Sequence, residues 1–186
     1  MKLVDIHCHL NQKLFEKDLD DVIKRAKKVG VKAIIASGTN PLANKEILKL
    51  AEKDEIIKAS LGIHPIDALG LSEGETGISK PEGKIDLEKE FEFIEKNKDK
   101  IVAIGEIGLD YYWDKEHHDE QKEIFRKVLQ LAIKIKKPVV IHTWAAEEDC
   151  LNILEEEING KVPVVLHCFG GRKSLVTRAI ELGYYF

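Results

Sequence analysis

Six short apolar runs alternate with six segments of helical period along this 186-residue chain, and no other feature restricts its fold so tightly. The runs lie at 2–6, 31–36, 57–63, 101–107, 138–142 and 162–167. Nearly continuous apolar runs of this length fit strands covered on both faces, as in a parallel sheet. Between and after them, 19–29, 43–53, 87–97, 121–135, 147–158 and 175–182 place apolar residues on one helical face, as Val22, Ile23, Ala26 and Val29 do. Gly30 and Gly183 follow two of these segments, where a left-handed C-cap is expected. The pattern is a βα repeat counted six times, with a seventh strand opening at 184–186.

Repeated βα units pack as a parallel sheet covered by helices. Polar residues gather at the C-terminal ends of several different strands, where barrel enzymes carry their chemistry. An open dinucleotide-binding sheet would carry a glycine-rich loop after its first strand; this chain has His7-Cys8-His9 there. The expected fold is therefore α/β, a TIM-type (β/α)8 barrel with six βα units and the start of strand seven. Residues 1–186 are expected to form a single domain.

The N-terminal MKLVDIHCHL is interrupted by an acid and two histidines, so it does not read as a signal peptide, and no apolar run approaches a membrane span. A cytoplasmic protein without a membrane partner is expected. Net charge is −4, with no basic stripe, so a phosphate-bearing substrate would be gripped by metals and a few placed cations. Three cysteines without regular spacing argue against a disulfide framework; Cys8 and Cys168 are read as small buried hydrophobes on strands.

Residues two apart on a strand share a face, so His7 and His9 present two imidazoles side by side. Imidazole suits zinc and other borderline divalent metals, and Asp5 is placed to orient one of these rings from outside. Glu106 ends a strongly apolar run, where a carboxylate is costly unless a cation pairs with it, and its two oxygens could bridge two ions. His142 and His167 each close an apolar run of the same plan. His7, His9, Glu106, His142 and His167 are accordingly the expected metal ligands. Asp110 is assigned to fixing a loop or supporting a ligand. His64 lies on the same rim and is expected to bond a substrate phosphate or leaving oxygen. His117 and His118, in a charged stretch, are read as solvated or capping residues. The long connection 65–86 is either a substrate wall or lid, or a mobile surface insertion.

These residues together resemble the TatD family of metal-dependent deoxyribonucleases, a branch of the amidohydrolase-like barrels. The matching motifs run in order: Asp5-x-His7-x-His9-Leu10, Gly62-x-His64-Pro65, Gly105-Glu106-Ile107-Gly108-Leu109-Asp110-Tyr111, Pro138-Val-Val-Ile-His142, and His167-Cys168-Phe169 with Gly171. Gln121-x-x-x-Phe125 and Leu131-Ala132 also fit. The resemblance implies two divalent ions (zinc, magnesium, manganese or similar), with His7 and His9 on one, His142 and His167 on the other, and Glu106 between them. It implies phosphodiester hydrolysis of DNA, single-stranded or at chain ends, of exonuclease type, and leaves the oligomeric state open.

Two departures from the family pattern stand out. The family usually has His-Ser-Arg after the fifth strand, whereas this chain has His142-Thr143-Trp144, an indole in place of a phosphate-binding fork. Trp144 is expected either to stack on a base or to mark a changed substrate. Family members also continue to an eighth strand bearing an Asp that completes one metal site, so this chain is expected to be a truncated barrel. Two alternatives follow: an amide or ester hydrolase of the wider superfamily, many of which bridge their metals with a carboxylated lysine rather than a glutamate, or a catalytically impaired fragment lacking that Asp.

Overall fold

Each apolar run becomes a strand, and each strand pairs in parallel with the next in chain order. In the computed structural model, which describes residues 2–72 and 77–186, these are β1 (Leu3–Cys8), β2 (Val31–Ser37), β3 (Ile57–Leu61), β4 (Ile101–Asp110), β5 (Val139–Trp144) and β6 (Val164–Leu166). The sheet order is β1-β2-β3-β4-β5-β6. The connecting helices are α1 (Leu19–Val29), α2 (Pro41–Lys53), a single turn α3 (Pro65–Ala68), α4 (Leu87–Lys96), α5 (His118–Ile135), α6 (Glu147–Glu157) and α7 (Lys173–Glu181).

Local chemistry sets the helix ends. Asn40 caps α2 by accepting from the Leu42 and Ala43 N–H groups, and Pro41 occupies the first helical position, where its missing N–H costs nothing. Gly30 closes α1 at φ 100°, a conformation that glycine reaches without strain.

The sheet is strongly curled. β1 and β6 lie five strand spacings apart, about 24 Å in a flat sheet. Yet the His7 ring stacks on the His167 ring at 3.9 Å between centroids. The curl gives the sheet a concave side, and its C-terminal rim brings residues from opposite edges together. On the outside, Ile47, Ile94, Leu129, Leu151 and Leu154 bury completely between helices and sheet. Each such aliphatic side chain contributes about 1.5–3 kcal/mol by leaving water. β4, the longest strand, is buried at every residue but Val102.

Three expectations need correction. β1 is not covered on both faces: Val4 is 57% and Ile6 37% exposed, because an edge strand has only β2 beside it. Cys168 is not a buried strand residue; it is exposed, at φ 47°, in the turn after β6, and Cys8 is only half-buried at the end of β1. The stretch 184–186 forms one isolated parallel bridge, Val165 with Tyr185, rather than a full strand.

The connection 65–86 is anchored over its described residues. Asn40 Nδ2 donates to Asp67 Oδ2 at 2.7 Å and to the Ser79 carbonyl at 2.9 Å, and Ile66, Ile78 and Ile85 are buried. Residues 73–76 of this connection lie outside the described residues. No helix among the described residues is long and apolar enough to cross a membrane.

Candidate metal centre

Glu106 sits in the second half of β4, 3% exposed, and four imidazoles converge on it. Oε2 lies 3.2 Å from His9 Nε2 and 3.5 Å from His7 Nε2. Oε1 lies 2.9 Å from His142 Nδ1 and 2.7 Å from His167 Nε2. Each carboxylate oxygen therefore faces one histidine pair, the first from β1 and the turn after it, the second from β5 and the turn after β6. The backbone just beyond β3 must pass close by: a Cβ on Gly62 would lie 2.3 Å from the Glu106 nitrogen, which leaves room only for glycine.

The far sides of the first pair are fixed by one residue of β2. His9 Nδ1 is 2.9 Å from the Ser37 carbonyl, which can only accept, so Nδ1 carries a proton and Nε2 is the ring atom turned toward Glu106. His7 Nδ1 lies 3.2 Å from Ser37 Oγ. Such outer hydrogen bonds set the tautomer and aim of a metal-binding imidazole. Ser37 carries no sequence signal of this role. Asp5, expected to orient a ring, is exposed and accepts from the His7 backbone N–H at 3.1 Å, so it steadies the chain rather than the imidazole.

The electrostatics match a site shaped for cations. Burial alone would push the Glu106 carboxyl up; its contacts with His142, His167, His7 and His9 win and hold it well below the ordinary carboxylate range. Burial also lowers His142, but carboxylates at both ring nitrogens, Asp110 and Glu106, outweigh it and raise this ring to about 9. Glu106 Oε2 is buried, accepts no hydrogen bond, and stands against two Nε2 atoms that are only 3.2 Å apart. Two imidazole nitrogens crowded against an unsatisfied carboxylate oxygen are what a divalent cation would satisfy. His7, Glu106 and His167 bring their donor atoms within 4.8 Å of one another, and so, as a second group, do His64, Asp110 and His142.

Asp110 is fully buried and uses both oxygens. Oδ1 accepts from the Tyr112 and Trp113 N–H groups at 3.0 and 2.9 Å, and Oδ2 is 2.9 Å from His142 Nε2. Gln121 on α5 clamps the Asp110 backbone, accepting from its N–H and donating to its C=O, both at 2.8 Å. His64 is buried, its Nδ1 taking a long 3.4 Å bond from the Ile66 N–H, with Nε2 unpartnered and its ring edge-on to His142. Burial, with His142 beside it, lowers His64 to about 4, so it is a neutral hydrogen-bond donor at Nε2.

His64, Asp110 and His142 line a cavity of about 540 Å³, with Trp113 and Trp144 on one wall and the described part of the 65–86 connection on another. His117 bonds Asp114, and His118 stacks on Tyr111; neither lines this cavity.

Comparison with known proteins places these residues in context. The model of the TatD related DNase family matches residues 4–186. The chain is 35% identical over 183 residues to the uncharacterized metal-dependent hydrolase YabD of Bacillus subtilis, covering 98% of this chain and 67% of YabD. It is 34% identical over 189 residues to human deoxyribonuclease TATDN3, covering 99% and 66%. The crystal structure of YJJV, a TatD homolog from Escherichia coli, superposes with a TM-score of 0.80 at 28% identity, covering 98% of this chain and 66% of that one. The chain thus spans about two thirds of the length of these relatives.

Proposed function

The chain belongs to the TatD-related DNase family, and from that premise we propose that it is a two-metal hydrolase cleaving phosphodiester bonds in DNA. The observation that carries the proposal is Glu106, which offers one buried oxygen to each of two histidine pairs. In this reading His7 and His9 would hold one ion and His142 and His167 the other, with the Glu106 carboxylate shared between them. Zinc, magnesium and manganese all accept such a mixed imidazole–carboxylate set. A metal pair at a site of this kind lowers the pKa of a bound water and balances charge on the attacking and leaving oxygens.

The protein's own groups do the rest. Glu106 stays ionised because four imidazoles face it, so its charge is available without reorganisation. His64 Nε2 donates to a phosphate or leaving-group oxygen, and burial keeps that ring neutral. Asp110 holds His142 from the side away from Glu106. The substrate is DNA, single-stranded or at an end, attacked in exonuclease fashion. Three free cysteines suit a reducing compartment, and a cytoplasmic location belongs to the same proposal. Glu106 in the bridging place makes an amide or ester hydrolase the weaker reading.

The test is hydrolysis of a single-stranded oligonucleotide and of bis(p-nitrophenyl) phosphate, with each divalent metal and with chelator. Metal-dependent cleavage of both is expected. Turnover confined to carboxylic esters would overturn the proposal.

A further inference from the structure

The chain has two tryptophans, and both stand at the rim of the cavity that holds His64 and His142. Trp113 is 68% and Trp144 45% exposed, a large apolar area left in water. Their indoles meet at 84° with centroids 6.2 Å apart, forming a corner. Tyr112 lies parallel to Trp144 at 4.4 Å but does not line the cavity, so it backs one face of that indole.

The corner is built to stay in place. Asp110 Oδ1 accepts the backbone N–H groups of both Tyr112 and Trp113, and the Tyr111 N–H donates to the Trp144 carbonyl at 2.9 Å. The same Asp110 contacts His142 through its other oxygen, so one buried carboxylate ties the aromatic corner to the metal centre. A fixed aromatic surface loses little freedom when a flat ligand settles on it.

We propose that Trp113 and Trp144 form a stacking wall for an unpaired nucleobase adjoining the phosphodiester to be cleaved. This rests on the phosphodiesterase reading and specifies its substrate. A base within a duplex has both faces covered by its neighbours; an unpaired base has a free face to offer. The charge balance points the same way. The chain carries a net charge of −4, and Lys80 is the one lysine or arginine lining the cavity among the described residues. With so few cations, grip on the strand comes from stacking, and binding depends only weakly on salt.

Because both tryptophans belong to the wall, the protein's indole emission reports on it directly. Protein as purified, with its metal content measured, is titrated with a phosphorothioate-linked oligothymidylate that resists hydrolysis. An abasic phosphorothioate chain of equal length is the comparison. Expected are quenching by the oligothymidylate and an affinity at least about tenfold weaker for the abasic chain. Trp113→Ala and Trp144→Ala are each expected to erase most of that ratio, and Trp144→Phe to keep it. An end-labelled oligonucleotide reads the Trp113→Ala/Trp144→Ala double variant, which is expected to bind both chains equally.

Equal affinity for the two chains, no quenching, or a ratio that survives both alanine variants would overturn the wall. If base-dependent quenching holds while no phosphodiester is hydrolysed, the wall stands and the phosphodiesterase reading falls.

Discussion

His167 Nε2 lies 2.7 Å from Glu106 Oε1, although 61 residues separate the two in the chain. His7, from the opposite edge of the sheet, stands 3.5 Å from the other oxygen of the same carboxylate. A curled parallel sheet makes both approaches possible, because every strand presents its C-terminal end to one rim. The behaviour of the site should therefore depend on residues that never touch a substrate.

Ser37 is the first of these. Its Oγ meets His7 Nδ1, while its carbonyl meets His9. Ser37→Ala removes the first contact and keeps the second. Metal affinity should fall about 10–100-fold, with the metal-free protein melting near the wild-type temperature. Titration with a competing chelator measures it; affinity within about twofold of wild type would show that Ser37 does not orient a ligand.

Two histidines give the metal-free protein a pH optimum. Burial lowers His64 to about 4, so between that value and its ordinary 6.5 the unfolded chain binds the proton that the folded chain refuses. This contribution to stability grows as pH rises to 6.5 and is complete above it. For His142, burial is outweighed by Asp110 and Glu106, and the ring rises to about 9. Its contribution is full below 6.5 and is lost as pH climbs through about 9. Tm of the metal-free protein should peak near pH 6.5 and fall on both sides. A metal held by His142 would displace its proton, so the alkaline decline should vanish on loading. A metal-free Tm still rising across the alkaline range would contradict this.

Gln121 is a third remote lever. It satisfies both the N–H and C=O of buried Asp110 and donates to Asp114 Oδ2 at 3.0 Å. Gln121→Leu keeps the volume but strands those groups. The expected loss is about 2–4 kcal/mol, a fall in Tm of roughly 5–15 °C. Thermal unfolding followed by circular dichroism checks it, and a shift below about 2 °C would mean that Asp110 is held by other contacts.

Much of this arrangement is legible in the residues themselves. His142 and His167 close apolar runs that prove to be adjacent parallel strands, so equal position in the run becomes proximity in space. Glu106 stands out because nothing else in 101–107 is charged. What stays hidden depends on topology. The run at 2–6 has the apolar content of a covered strand, yet β1 lies at the edge of the sheet. Ser37 is an ordinary serine until β1–β2 pairing sets Cys8 opposite Ala36 and brings His7 and His9 over it. Asp5 misleads because a short acidic side chain can bond the N–H two residues along its own chain as readily as a distant ring. The contact of Asp110 with His142 needs the register that pairs Gly108 with His142 and Asp110 with Trp144, which no spacing reveals.

Metal content of the purified, metal-loaded protein, measured by plasma mass spectrometry beside Glu106→Gln, tests the binuclear centre most directly. Two ions per wild-type chain are expected. In Glu106→Gln at most one ion should remain, with phosphodiester hydrolysis lower by at least about 10²-fold. Fewer than two ions in the wild-type chain, or both retained in Glu106→Gln, would contradict a centre bridged by that carboxylate.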